Sequence, residues 1–130
     1  MRVLVTGGAG YIGSHLVDRV LADGHDVVVI DDLSTGSRAN LAHCLDRIRF
    51  VEGTILDGGL VRELTEGREL VFHLAAAVGV GNIVAYPIRS MAVNVDGTHR
   101  VLDACLATGA KMVLASTSEI YGKSPRIPMN

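Results

Sequence analysis

The sequence predicts a doubly wound α/β domain, with a parallel sheet of about five strands and helices on both faces. Three observations lead there. Short apolar, β-branched runs recur at residues 2–6, 25–30, 47–52, 70–74 and 111–115, and helical periodicity fills the intervals between them. Alternation of strand and helix builds a parallel sheet, because right-handed crossovers carry the chain back over one face or the other. The first run also flows straight into Gly7, Gly10 and Gly13, three residues apart, at the mouth of an amphipathic helix. The expected strand order is 3-2-1-4-5.

Residues 2–6 (Arg-Val-Leu-Val-Thr) suit a strand buried on both faces. Gly7 permits the tight turn, Gly10 admits an anion close to the backbone, and Gly13 lets the helix lie against the strand. That helix is expected over residues 11–22, with Ile12, Leu16, Val17, Val20 and Leu21 facing inward and Gly24 as a left-handed cap. Its free N–H groups and positive dipole end suit a pyrophosphate. The second strand ends in Asp31, eighteen residues after Gly13. A dinucleotide-binding unit places the acid for its adenosine ribose close to that position.

A polar loop at 31–36 and a short helix near 38–45 follow, and then the third strand. A helix over 56–67 turns Leu60, Val61 and Leu64 inward, with Gly58 and Gly59 weakening its start. After the fourth strand, residues 75–85 are rich in Gly and Ala and read as a loop over the ligand. Pro87 suits a first helical turn, opening a long helix to Thr108 that Gly109 caps. Ligands of open α/β sheets lie beyond the carboxyl ends of the strands, so residues 6–10, 31–36, 54–57, 73–78 and 116–121 gather on one rim.

Two other ligands compete for such a turn. A P-loop needs Lys before Ser or Thr, and Gly13-Ser14-His15 lacks it. A methyl donor on a similar fold stays open, as does a glycine turn that binds nothing. With 48% hydrophobic residues, the 130 residues can build one domain with its own core. A net charge of −2 without a basic cluster argues against nucleic acid and anionic membranes as partners. No apolar run approaches the ~18 residues of a membrane span, and the first residues enter a strand without a signal peptide. The expected location is cytoplasmic. Cys44 and Cys105 read as reduced thiols in helix-like stretches rather than as a disulfide. The five histidines show no paired ligand spacing, so no metal site is expected.

With Ser116-Thr117-Ser118-Glu119-Ile120-Tyr121-Gly122 added, the chain resembles the extended short-chain dehydrogenases/reductases. More narrowly, it resembles the NAD-dependent nucleotide-sugar epimerase/dehydratase family. The resemblance covers all 130 residues and rests on four further strings. These are Thr6-Gly7-Gly8-Ala9-Gly10-Tyr11-Ile12-Gly13-Ser14-His15, Asp31-Asp32-Leu33-Ser34-Thr35-Gly36, His73-Leu74-Ala75-Ala76 and Asn94-Val95-Asp96-Gly97-Thr98. It implies a Rossmann-type fold holding NAD, with Gly7, Gly10, Tyr11, Ile12 and Gly13 at the cofactor and Asp31 on the adenosine ribose. It further implies that Asp32, Leu33, Ser34, Thr35 and Gly36 run along the same nucleotide, with Thr54 and Ile55 nearby. Leu74, Ala75 and Ala76 then line the nicotinamide side, Val78 also belongs to the cofactor site, and Asn94 positions neighbouring loops. His73 is expected to be a strand-end histidine held by backbone partners. Thr117 and Glu119 are the catalytic candidates, Thr117 holding the reacting hydroxyl of a UDP- or dTDP-linked sugar.

The resemblance has two departures. Thr54 stands where many members carry an acid that meets the adenine amino group. The family's catalytic Tyr, with Lys four residues later, is not found: Tyr121 is followed by Lys123 at two and Pro125 at four. The expectation is therefore a cofactor-binding part, residues 1–130, without that pair or the substrate-binding part. In a longer parent it would serve transient oxidation of the sugar at C4, leading to epimerisation, dehydration or decarboxylation. Thr117-Ser118-Glu119 resembles decarboxylating members most. A non-catalytic dinucleotide-binding module and an inert remnant are the alternatives. A homodimer through the helix at 87–108 is the implied assembly.

Overall fold

In chain order the elements are β1 (Arg2–Thr6), α1 (Tyr11–Ala22), β2 (Asp26–Asp31), β3 (Arg49–Glu52), α2 (Gly58–Thr65) and β4 (Leu70–His73). They continue as α3 (Val80–Ala85), α4 (Pro87–Met91), α5 (Thr98–Thr108) and β5 (Lys111–Leu114). The computed structural model describes residues 1–122, apart from the side chain of Glu119. The strands pair in parallel in the expected order β3-β2-β1-β4-β5. β1 lies at the centre, with Leu4 opposite Val28 of β2 on one side and Val71 of β4 on the other. The winding reverses between β1 and β4, and the strand ends open a crevice there.

Period-two alternation divides the core into two. Val3, Val5, Val27 and Val29 pack with Val17, Val20 and Leu21 of α1, and with Leu41 and Cys44 beyond β2. Leu4, Val28, Ile30 and Val71 pack with Val61 and Leu64 of α2 and with Val101, Ala104 and Cys105 of α5. Because both faces of the central strands are covered, the runs are apolar at every position instead of every second one. Each buried Val, Leu or Ile side chain stabilises the fold by about 1.5–3 kcal/mol. Both cysteines are buried free thiols, held above the usual thiol range by that burial. They belong to different cores, which excludes a bond between them.

Several elements differ from the sequence-based expectation. Ile12 is 70% exposed rather than inward, because the buried side of the first turn of α1 is taken by Gly13 and Ser14. The helix expected near 38–45 is a single 3-10 turn, Arg38–Leu41, opened by Ser37 Oγ accepting from Ala39 N–H at 3.3 Å. α2 is shorter than expected and starts at Gly58, where Asp57 Oδ1 accepts from Leu60 N–H at 3.0 Å. The Gly/Ala-rich loop contains the short α3. The long helix is continuous from Pro87 to Thr108 but widens to a π-helix over Ala92–Gly97, and Gly109 closes it at φ +76°. Among the described residues, no helix is long and apolar enough to cross a membrane.

Candidate dinucleotide site

At the end of β1 the chain turns at Gly7, whose φ of +73° favours glycine. A Cβ on Gly7 would lie 2.7 Å from Ala75 N, and one on Gly13 would lie 2.1 Å from Gly7 O. The turn, the loop after β4 and the start of α1 therefore touch backbone to backbone. Gly8 is also constrained, since a Cβ would come within 2.6 Å of Val29 Cγ1. Gly10 is the N-cap of α1 and provides no capping side chain, and the first turn holds no acid. The leading N–H groups of α1 thus remain available to an anion, with the helix dipole behind them. Tyr11 and Ile12 stand exposed at this helix end.

Asp31 lies on the neighbouring strand and is buried. Its Oδ2 accepts from Ala9 N–H at 2.9 Å, and its Oδ1 accepts from Leu33 N–H at 2.9 Å. These bonds tie the ribose-side loop to the phosphate turn. Leu33 takes a left-handed φ of +57°, a strained setting for a leucine, and the Asp31 bond helps to hold it there. Asp32 Oδ1 accepts from both Ser34 N–H and Ser34 Oγ. Ala9 is the hub of the loop, because its carbonyl also accepts from Ser37 N–H at 3.0 Å and Asn40 Nδ2 at 2.8 Å. Gly36 packs on it, and a Cβ there would lie 2.9 Å from Ala9 C. Asn40 was invisible to motif reading, because its partner lies 31 positions earlier.

A second clamp joins the ends of β1 and β4. Ala75 N–H donates to Thr6 Oγ1 at 3.2 Å, and Thr6 Oγ1 lies 2.7 Å from His73 Nδ1. His73 Nε2 is 3.1 Å from Thr98 Oγ1, which donates to Asn94 O at 2.7 Å. Thr98 has one hydroxyl proton and gives it to that carbonyl, so His73 Nε2 carries the hydrogen in its bond to Thr98. Burial holds the ring neutral and pushes its pKa down, so Nδ1 is bare and accepts the Thr6 hydroxyl proton. His73 is thus held by two side-chain hydroxyls, not by the backbone partners expected of it. Asn94 grips Ala77 twice, with Oδ1 accepting from Ala77 N–H at 2.7 Å and Nδ2 donating to Ala77 O at 3.1 Å. Leu74, Ala75 and Ala76 are stretched between these clamps, with Val78 exposed just beyond.

The remaining candidates are placed less centrally. Thr54 Oγ1 accepts from Leu56 N–H at 3.2 Å in a local turn and keeps its own proton for donation. Ile55 is buried in the α2/α5 core against Gly97, so only its backbone reaches the rim. Thr117 is exposed after β5 and its carbonyl accepts from Ile120 N–H at 3.4 Å. Glu119 belongs to the 3-10 turn Ser118–Tyr121, but its side chain lies outside what is described, as do Lys123 and Pro125. Thr35 completes the loop at residues 31–36.

A parallel sheet with this winding, and with a glycine turn, an open helix start and a buried acid at its switch point, defines a dinucleotide-binding domain of the Rossmann type. The sequence model of the NAD dependent epimerase/dehydratase family matches residues 3–130, and the chain belongs to that family. UDP-glucose 4-epimerase of Mycolicibacterium smegmatis is 46% identical over 133 residues, covering 98% of this chain and 42% of that protein. UDP-glucuronic acid decarboxylase 1 of Danio rerio is 36% identical, over 99% of this chain and 30% of its own length. The crystal structure of UDP-glucose-4-epimerase from Stenotrophomonas maltophila, with bound NAD and formylated UDP-arabinopyranose, matches with a TM-score of 0.91. It is 31% identical over 99% of this chain and 40% of that one. The chain therefore spans 30–42% of the length of these relatives.

Proposed function

We propose that residues 1–130 hold NAD for an enzyme that remodels the sugar of a UDP- or dTDP-linked nucleotide sugar. The observation that carries this reading is the uncapped N-terminus of α1 at the glycine turn after β1, beside an Asp31 anchored on the next strand. Each Asp31 oxygen has accepted one N–H and keeps a lone pair for a ribose hydroxyl. NAD, when bound, supplies hydride acceptance and return. This chain's residues orient it: the α1 start takes the pyrophosphate, Asp31 the adenosine ribose, and the clamped loop 74–77 the nicotinamide side. Thr117 is assigned to the sugar hydroxyl that reacts. Glu119 is assigned to the ring beside C5, as a base or a distorting charge, and the Thr-Ser-Glu order favours decarboxylation over dehydration. Exposed Ile88, Met91, Val95, Leu102 and Leu106 support a homodimer through the helical run at 87–108.

The Asp31 carboxylate repels a ribose 2′-phosphate, which favours NAD over NADP. Arg38, the nearest cation in sequence, is turned onto β3, with its guanidinium 4.8 Å over the Phe50 ring and Nη1 3.8 Å from Glu52. Calorimetric titration of both cofactors into the chain tests the reading. NAD is expected to bind at least about tenfold tighter, a difference of roughly 1.4 kcal/mol, and Asp31→Ser narrows the gap. Tighter binding of NADP would overturn it.

A further inference from the structure

We propose that Asp18, His43 and Cys44 form a site for a borderline divalent cation of the zinc class, on the α1 face and apart from the dinucleotide rim. Asp18 Oδ1, His43 Nε2 and Cys44 Sγ all lie within 4.8 Å of one another. Asp18 comes from the middle of α1, and its Oδ1 is 2.6 Å from the ring nitrogen of His43, 25 positions away in sequence. His43 and Cys44 are adjacent in the chain. On a regular helix two neighbours aim about 100° apart. They converge here because the chain has left the 3-10 turn Arg38–Leu41 and runs through turns.

One sulfur, one imidazole nitrogen and one carboxylate oxygen make a donor set that zinc accepts, in a tetrahedron whose fourth position goes to water. Bonds of about 2.0–2.3 Å separate tetrahedral ligand atoms by roughly 3.3–3.7 Å. The His43–Asp18 pair therefore opens by less than about an ångström as the sulfur closes in. Exposure is graded as entry requires: Cys44 is 1% exposed at the floor, while the His43 and Asp18 side chains are 58% and 43% exposed at the mouth. Without a cation the thiol keeps its proton and donates it to Leu41 O at 3.4 Å. On binding, the S–H bond breaks, the proton leaves to solvent, and the thiolate electron pair forms the metal–sulfur bond. The hydrogen that His43 Nε2 gives to Asp18 is exchanged through solvent to Nδ1, so that the bared Nε2 lone pair and the Asp18 oxygen bind the cation. The cation would staple α1 to the turns that follow Asn40, the residue that helps to hold Ala9.

The competing state is a plain Asp–His pair over an inert thiol, and spectroscopy separates the two. The purified 130-residue chain is titrated with Co²⁺ in a non-thiol reductant. The expected result is an intense thiolate-to-cobalt charge-transfer band with tetrahedral d–d absorption, both displaced by Zn²⁺. His43→Ala and Asp18→Asn should each weaken binding by more than about tenfold. Cys44→Ser should remove the charge-transfer band, whereas Cys105→Ser, in the opposite core, should leave it. If Cys44→Ser fails to fold, the two variants at exposed positions still decide the matter. Absence of the band in wild type, or its full retention in His43→Ala and Asp18→Asn, would overturn the proposal. Zn²⁺ should also raise the Tm of wild type and leave that of His43→Ala unchanged.

Discussion

His73 satisfies both of its neighbours in one protonation state only. A second proton on the ring would leave the Thr6 hydroxyl hydrogen without its acceptor, in a place already closed to water. Its pKa is held below the ordinary histidine value of 6.5 by burial. The unfolded chain therefore takes up this proton first as the pH falls. Stability from this group is fully present above about pH 7.5 and falls below about 6.5, by at most about 1.4 kcal/mol per pH unit for one proton. The loss levels off below the folded-state pKa. Urea midpoints at pH 8, 6.5 and 5.5 should trace this decline in wild type, and His73→Gln should flatten it. An equal slope in the variant would place the titration elsewhere. Gly13 is as tightly constrained, by space alone. Gly13→Ala puts a methyl 2.1 Å from Gly7 O, and the helix must lift away from the turn. The expected cost is about 1–3 kcal/mol in urea unfolding, together with loss of measurable NAD binding.

The loop at residues 31–37 illustrates how one element borrows its order from another. It contains little regular structure, yet Asp31, Ser37 and the nearby Asn40 all bond to the two backbone groups of Ala9. Asn40→Ala removes one of these bonds and should destabilise the chain by about 1 kcal/mol. The damage should stay local. Hydrogen exchange at the Leu33 and Ser37 amides is expected to speed up, while Val28 and Val29 at the centre of the sheet stay protected. Uniform acceleration across β2 would mean that the clasp belongs to the core. The π-helix at Ala92–Gly97 is a second borrowed feature. Within it Asn94 O accepts from the Thr98 hydroxyl while the Asn94 side chain grips Ala77.

At the scale of the whole molecule, apolar surface is distributed unevenly. The sheet ends in two edge strands, β3 and β5, and β5 leaves Val113 and Leu114 each 49% exposed. Val80, Val84, Ile88, Met91 and Leu106 stand exposed nearby along the chain. Edges and patches of this kind associate. Light scattering of the 130-residue chain should show concentration-dependent self-association, reduced in Ile88→Glu. Turnover is a separate matter. No tyrosine among these residues has lysine four positions later. A proton-abstracting pair contributes about 10²- to 10⁴-fold to such reactions. Incubation with NAD and either UDP-glucuronate or UDP-glucose should therefore yield neither reduced cofactor nor product. Conversion would mean that a catalytic group lies among the residues present.

Burial leaves continuous apolar runs of strand length and 3.6-residue stripes along the chain, so the five parallel strands, their order and the glycine turn followed by Asp31 were legible in the amino-acid order alone. Sequence also marked the left-handed closures at Gly24 and Gly109, since few other residues take that backbone. Single side chains that meet across long separations leave no periodic mark. Packing of the folded chain brings Thr6 and Thr98 onto His73, which fixes its tautomer, and Asn40 onto Ala9. Packing alone turned the Ile55 side chain into the core beneath Gly97, where a Cβ would lie 2.5 Å away, which leaves its backbone on the rim side. Periodicity records how much of each residue is buried. Which hydroxyl, amide or sulfur a buried atom meets is settled only when the strands and helices stack.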